Sequence, residues 1–475
     1  MVGSHRRVEG GHFDCIVIGA GMSGLAAGIR VAMAGKKVLV LEKHEATGGL
    51  NSYFFKERRY FDVGLHAMTN FVPAGTRGRP LTKILRQLRI RHEELNLSEQ
   101  VGSKIVFPGG TLKLSNGIGT LKQSVAEIFP GEADRFSKLV ELIEATDPFQ
   151  LEDPHQSGRE FLRARLSNPE LVEMLLCPLF FYGSSRTDDI DLDQLLILFN
   201  ALYIEGFARP LGGIRGLLQL LAKKLKQLGG ERRMRAEVVA LETSNGAVKE
   251  VHLATGERLT ADWILSSVGR LETERLLGEA RNENDSLAGK LAFCETLTVL
   301  NGEPAEMGID ATIVFFSTES PMRYRDPGAL VDFSSGVVCS PNNYRYPDGE
   351  RLEEGLFRVT SLASYRSWKE LDETGYRKEK AAAYEAVIEN ALKIAFPGVS
   401  RRTFMEARVA DDMFTPLTVE RYTGHIGGAI YGSPEKVRDG LYRFSNLVLT
   451  GTDQGFLGIT GAMLSGISMA NRYVV

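Results

Sequence analysis

The stretch FDCIVIGAGMSGLAAGIRVAMAGKKVLVLE, residues 13–42, decides the fold. Phe13–Ile18 is a short apolar, β-branched run and reads as a buried parallel strand. Gly19-Ala20-Gly21-Met22-Ser23-Gly24 follows, then an alanine-rich helix over Leu25–Ala34 that Gly35 ends, then a second strand, Val38–Leu41, with Glu42 at its tip. In a GxGxxG turn each glycine has a task. Gly19 permits the tight strand-to-helix turn, Gly21 lets a pyrophosphate approach the backbone, and Gly24 lets the helix pack closely on the strands. The helix opened by Met22 and Ser23 offers free N–H groups and a partial positive charge to phosphates. Glu42 can hydrogen-bond a ribose diol, and its charge would repel an extra 2′-phosphate. Strand before, helix after and acidic tip agree, so the unit reads as a dinucleotide site and not as a chance glycine pattern.

The residues that follow narrow the dinucleotide. Lys43 leads to Gly48-Gly49-Leu50-Asn51, and FDVGLH occupies 61–66. This run, LEKHEATGG…FDVGLH, resembles the N-terminal signature of the phytoene desaturase, carotenoid isomerase and retinol saturase flavoproteins. The resemblance implies FAD, with the Gly48-Gly49 pair letting the chain pass tight against the cofactor. Near the far end, NLVLTGTDQGFLGITGAMLSGISMA (446–470) resembles the flavin segment of the same family. Leu447–Leu449 reads as a strand, Gly451-Thr452-Asp453 as a turn, and Gly461–Ala470 as a helix of small residues. The resemblance implies that Asp453 bonds the pyrophosphate–ribityl region. It also implies that the helix start, Gly458, Ile459 and Thr460, lies against the pyrimidine edge of the flavin, where its dipole would stabilise a reduced ring. It further puts the backbone of Val238 at the adenine and Tyr431, in GGAIYG (427–432), at the substrate. Two departures, Leu50 in place of an arginine and QGFLG (454–458) in place of a proline followed by glycines, point away from phytoene desaturases proper and toward the saturase and isomerase branches.

Between these ends, Leu211–Leu228 reads as an amphipathic helix stopped by Gly229-Gly230. Glu237–Leu241, Val248–Leu253 and Thr260–Ser266 read as strands joined at Asn245-Gly246 and Thr255-Gly256. Leu291–Leu300 and Thr312–Phe316 read as strands of a second sheet. The expected architecture is α/β with α+β insertions. A Rossmann-type FAD-binding domain built from 12–100, 211–285 and 405–475 is joined to a discontinuous substrate domain, 101–210 and 286–404, on a mixed or antiparallel sheet. The most apolar stretches, Leu171–Tyr182 and Leu192–Phe207, are expected to be core helices, to line a lipid tunnel, or to dip into a membrane interface.

The chain has 475 residues, 43% hydrophobic and 25% charged, with a net charge of -3. That is ordinary globular composition, and nothing marks nucleic acid as a partner. Met1–Gly11 lacks an apolar core and reads as a disordered lead-in. No run of about 18 uncharged apolar residues predicts a membrane span. The four cysteines are scattered without a CxxC pair, so neither disulfides nor a metal site is expected, and a cytoplasmic setting, with contact to the inner face of a membrane, is the default. The partner implied is a hydrophobic small molecule; the oligomeric state is not legible. No nucleophile elbow or HExxH spacing is present. The ionisable residues expected near the flavin are His66 and His425, either able to exchange protons near neutral pH. The function implied is oxidation, saturation or isomerisation of C–C bonds in a carotenoid, other isoprenoid or acyl lipid. An amine-oxidase-type enzyme on a polar amine and a non-catalytic flavin-bearing protein are the alternatives.

Overall fold

A computed structural model describes residues 8–64 and 66–475 of the chain. Its first sheet gathers strands from three distant stretches. Val8–Ile18 lies at the middle, parallel to Val38–Leu41 on one side and to Glu257–Ser266 on the other. Glu231–Arg233 extends it beyond Val38–Leu41, the meander Val238–Ser244 and Ala247–Leu253 beyond Glu257–Ser266, and Leu447–Leu449 pairs with Glu257–Ser266 in parallel. The inner part of the central strand, Cys15–Ile18, is apolar and buried because both of its faces are covered. Cys15 and Val17 pack with the helix Met22–Met33 and the C-terminal helix Gly458–Met469, whereas Phe13, Ile16 and Ile18 pack with Leu241, Val251 and Leu259. Of the lead-in expected over Met1–Gly11, residues 1–7 lie outside the described residues; from Val8 the chain is already strand, held by pairing to Glu257 and Arg258.

The second sheet has seven strands among the described residues, in the order Arg408–Phe414, Ala292–Leu300, Gly355–Ala363, Ser335–Cys339, Ile313–Ser317, Ser103–Phe107, Gly110–Leu114. Ser103–Phe107 runs parallel to Ile313–Ser317 and the other neighbours are antiparallel, so the sheet is mixed. Side chains alternate across it. Phe293, Ile313, Phe315 and Val337 face the helices Pro169–Gly183 and Leu192–Phe199, while Val314, Phe316, Val338 and Phe357 face the long helix Glu373–Ala395. The ion pair of Arg209 and Asp62, 2.6 Å, ties the two halves where Asp62 also accepts from the Ile214 amide at 3.3 Å.

One expectation is shifted and another is narrowed. The boundary expected at 405 is one strand too early. Arg408–Phe414 pairs along Ala292–Leu300, so this stretch completes the second sheet before the chain returns to the first. The apolar stretches 171–182 and 192–207, for which core, tunnel and membrane interface were all open, are mostly core. Leu171, Val172, Leu175, Leu176, Leu179, Phe180, Leu195 and Leu196 are all fully buried in one cluster with the second sheet. A helix apolar on every side is covered on every side, and here protein supplies the cover. No helix among the described residues is long and apolar enough to cross a membrane.

Candidate active site and its cofactor cradle

Between the two sheets runs a continuous cavity of about 510 Å³, within the range of small-molecule sites. One half is walled by the first sheet. Gly19, with φ +96°, turns the chain where a β-carbon would lie 2.6 Å from Ser267 Oγ. At Gly24 a β-carbon would lie 2.0 Å from the Gly19 carbonyl oxygen, so this glycine serves helix packing and does not line the cavity. Gly21 does line it, and its missing β-carbon would meet only the Gly48 oxygen at 3.8 Å. It precedes a helix that no side chain caps, which leaves the first-turn amides beside Met22 and Ser23 to a ligand. Glu42 is buried and held from behind: its carboxylate accepts from the Ala20 amide at 2.9 Å and the His44 amide at 3.0 Å. Lys43, Gly48, Gly49, Leu50, Asn51 and the strand start at Val238 continue the same wall.

The far end of the chain closes this half. Ser23 Oγ and Thr450 Oγ1 are 2.6 Å apart, and the Gly451 amide donates to Ser465 Oγ at 2.7 Å, which seats the C-terminal helix on the first one. Gly451, Gly458 and Ile459 face the cavity, and Gly458, with φ +71°, has open space where a β-carbon would project. Asp453 and Thr460 are not themselves in the cavity lining, although Thr452, Gly458 and Ile459 are. Asp453 is buried behind the wall, where it accepts from the Arg270 amide at 2.6 Å and the Ser433 amide at 2.8 Å and pairs with Lys436 at 3.6 Å. Its two oxygens, like those of Glu42, each accept from a backbone amide, and they tie three loops behind the cavity. Thr460 Oγ1 donates to the Thr69 carbonyl at 3.1 Å, leaving only its backbone amide to the helix start.

The other half is apolar. Phe181, Tyr182, Phe293, Val337, Ile430 and Tyr431 wall it, with Phe293 at 5.9 Å from Phe181 and at 5.8 Å, edge-on, from Tyr431. Tyr431 donates to the Phe181 carbonyl, which fixes its ring in the wall. Of the stretches expected to form a tunnel, only Phe181 and Tyr182 reach the cavity. His66 opens onto this space together with Glu295 and Thr360 from the second sheet. Its Nε2 is 3.1 Å from Glu295 Oε1 and 3.2 Å from Thr360 Oγ1, and Glu295 is in turn bonded by Arg358. Burial would raise the Glu295 carboxyl, but Arg358 and His66 outweigh it and hold the group below the usual carboxylate range.

His425 is also in the wall, in different company. Its Nδ1 is 3.7 Å from Glu272, on the helix Arg270–Leu276, and Lys43 of the second strand's tip lies nearby, 3.1 Å from where a β-carbon on Gly424 would stand. Burial lowers His425, yet Glu272, with Asp453 behind it, outweighs burial and Lys43 and holds the imidazole above its ordinary value. This histidine therefore lies near Lys43, the residue after Glu42, toward the ribose end of the expected dinucleotide. Sequence reasoning missed Glu272, Glu295, Arg358 and Thr360. A signal for two of them exists, since Glu295 in AFCETLTVL and Arg358 in GLFRVTSLA are lone charges in apolar strands; such charges are rarely buried unless paired.

Known proteins bear on this geometry. A family model described as flavin containing amine oxidoreductase matches residues 22–270, just over half of the chain. The chain belongs to that family. Within it, the chain is 24% identical to prolycopene isomerase 2, chloroplastic, of an Oncidium hybrid cultivar, over 98% of this chain and 84% of that one. It is likewise 24% identical to the all-trans-retinol 13,14-reductase of Danio rerio, over 97% and 86%. Among solved structures, an oxidoreductase from Methanosarcina mazei superposes with a TM-score of 0.66 at 17% identity, covering 96% of this chain and all of the other. Putrescine oxidase bound to putrescine superposes at 0.62 with 14% identity, covering 97% and 98%; at these identities the likeness is one of fold.

This member of the amine oxidoreductase family is an FAD-dependent oxidoreductase. The residues present fit the cofactor: bare glycine backbone at Gly21 and Gly458 leaves space where side chains would intrude, the Glu42 carboxylate at the tip of the second strand lines the cavity, and two helix starts face it.

Proposed function

We propose that the enzyme acts on a C–C bond of a long apolar substrate, a carotenoid, another isoprenoid or an acyl lipid, bound against the aromatic and aliphatic wall beyond the flavin. The observation that carries this reading is the apolar half of the cavity, walled by Phe181, Tyr182, Phe293, Val337, Ile430 and Tyr431, onto which one polar cluster, His66 with Glu295 and Thr360, opens. Relatives named prolycopene isomerase, 4,4'-diapolycopene oxygenase and retinol reductase support it. When bound, the flavin accepts a hydride from carbon or returns one. The protein supplies the rest. Gly21, Met22, Ser23, Glu42, Lys43, Gly48, Gly49, Leu50, Asn51, Val238, Gly451, Gly458 and Ile459 hold the dinucleotide. The apolar wall excludes water and aligns the chain of the substrate. His66 takes a proton from the carbon next to the one that loses hydride, or gives one in the reverse direction. His425, paired with Glu272, supports the dinucleotide end and does not meet substrate.

Anaerobic titration of the FAD-loaded enzyme with a panel of polyenes, squalene-type isoprenoids, acyl lipids and polyamines tests this. Bleaching of the flavin by a member of the apolar set, with a product changed by two hydrogens or by bond geometry, is the expected result. Bleaching by a polyamine alone would overturn the reading. His66→Gln should retain FAD and lower turnover by about 10²–10⁴-fold, the usual contribution of a positioned acid or base.

A further inference from the structure

We infer that Glu295 fixes the tautomer of His66, so that Nδ1 is the atom through which this histidine exchanges its proton; the inference rests on the reading of His66 as the proton carrier. The arrangement follows from strand register. Glu295, in Ala292–Leu300, stands directly opposite Thr360, in Gly355–Ala363. Arg358 is two residues before Thr360, so the pleat puts its side chain on the same face. Three polar side chains from two neighbouring strands thus converge on the segment that carries His66. Arg358 Nε donates to Glu295 Oε1 at 2.6 Å, Nη2 donates to the same oxygen, and Nη2 also donates to the Val63 carbonyl at 2.6 Å. The guanidinium therefore fastens both the carboxylate and the backbone three residues before the histidine. The His66 carbonyl is held in turn by the Tyr344 hydroxyl at 3.1 Å and by Cys339 Sγ at 3.5 Å.

In this frame the direction of the Glu295–His66 bond is determined. A carboxylate gripped by Arg358 is ionised and can only accept. His66 Nε2, 3.1 Å away, must carry the hydrogen, with Thr360 Oγ1 as a second oxygen at 3.2 Å. A neutral imidazole has one N–H and one lone pair; the lone pair is therefore on Nδ1. Nδ1 has no protein partner among the described residues and is not sealed from the cavity that His66 lines. Glu295 is a positioning residue: it acts through His66, by setting which of the two nitrogens carries the lone pair.

The experiment reads the tautomer directly. The full-length, FAD-loaded enzyme is labelled with ¹⁵N-histidine; it has eight histidines, and the His66 signals are those missing in His66→Gln. In its neutral form the wild-type His66 should show a protonated-type Nε2 and a lone-pair-type Nδ1. Glu295→Gln keeps the volume and an acceptor for Arg358 but loses the charge, and should move the tautomer ratio about tenfold toward Nδ1–H, the difference between a charge-assisted and a neutral hydrogen bond. If that variant fails to fold because Arg358 has lost its anion, Glu295→Asp keeps the charge and draws it back from His66, with the same expected shift. A wild-type His66 protonated on Nδ1, or a ratio unmoved in the variant that folds, overturns the inference. Failure of the proton-carrier reading looks different: His66→Gln would bleach and turn over like the wild type whatever the tautomer.

Discussion

Gly21 and Gly24 stand three residues apart and do opposite things. A methyl group on Gly24 would meet the Gly19 carbonyl at 2.0 Å, backbone against backbone, whereas one on Gly21 would point into open cavity. Gly24→Ala should therefore lower the stability of the whole chain, by about 1–3 kcal/mol as for other overpacked sites. Gly21→Ala should leave the melting temperature of the flavin-free chain nearly unchanged and weaken FAD binding at least about tenfold, the loss expected when a side chain displaces the pyrophosphate from the backbone. Cofactor titration followed by flavin fluorescence, beside thermal melts, separates the two. His425 makes a pH prediction. Its value is raised in the folded chain, chiefly because Glu272 outweighs burial. A raised histidine contributes stability that is fully present below its unfolded value near 6.5 and is lost as the pH climbs through the folded one. Glu272, Asp453 and Lys43 are the charged groups that act on it. The melting temperature should fall between pH 6 and pH 9 by less in His425→Gln than in the wild type; an identical slope would remove His425 from this balance.

Among the elements, the helix Pro169–Gly183 carries the sharpest stability prediction. Phe180 is fully buried, stacked on Tyr324 at 4.8 Å, and sits where the helix meets the second sheet. Phe180→Ala should cost about 3–5 kcal/mol, read by denaturant unfolding, and should not alter binding to lipid vesicles, because the residue never reaches the surface. The same helix shows where sequence reading runs out. Its apolar run is equally consistent with core, tunnel or membrane, since periodicity records that a face is covered and not by what. Elements whose ends are written in local chemistry were legible: Val38–Leu41 and Leu447–Leu449 lie where their apolar runs put them, and the turn at Asn245-Gly246 has both residues at positive φ, as a tight hairpin needs. The last strand of the second sheet, Arg408–Phe414, was not legible, because RVADDMF reads as a polar stretch and its partner is more than a hundred residues earlier. Asp453 shows the same limit at the site. The resemblance implies a place near the cofactor, but only the fold reveals that its oxygens also hold the Arg270 and Ser433 amides.

At the level of the whole molecule, the cavity is walled by both sheets, so occupancy couples them. FAD bound to the folded chain alone should stabilise it by about 2.7 kcal/mol at a hundredfold excess over Kd, and both halves should melt in one transition that rises together. Calorimetry with and without FAD checks this; a transition that FAD leaves in place would mean that one sheet unfolds without regard to the site. The order of strands in the first sheet has a consequence for biosynthesis. Leu447–Leu449 pairs beside Glu257–Ser266, and the helix that follows packs on the first helix and supplies Gly458 and Ile459 to the cavity. A ribosome that has made the GxGxxG turn, and even the second sheet, has therefore not yet made a flavin site. The nascent chain must wait, with one edge of a parallel sheet unpaired, until the stretch around 447–470 leaves the exit tunnel. Flavin supply then acts only once that stretch has emerged, and a cell short of FAD should accumulate this enzyme as a chaperone client.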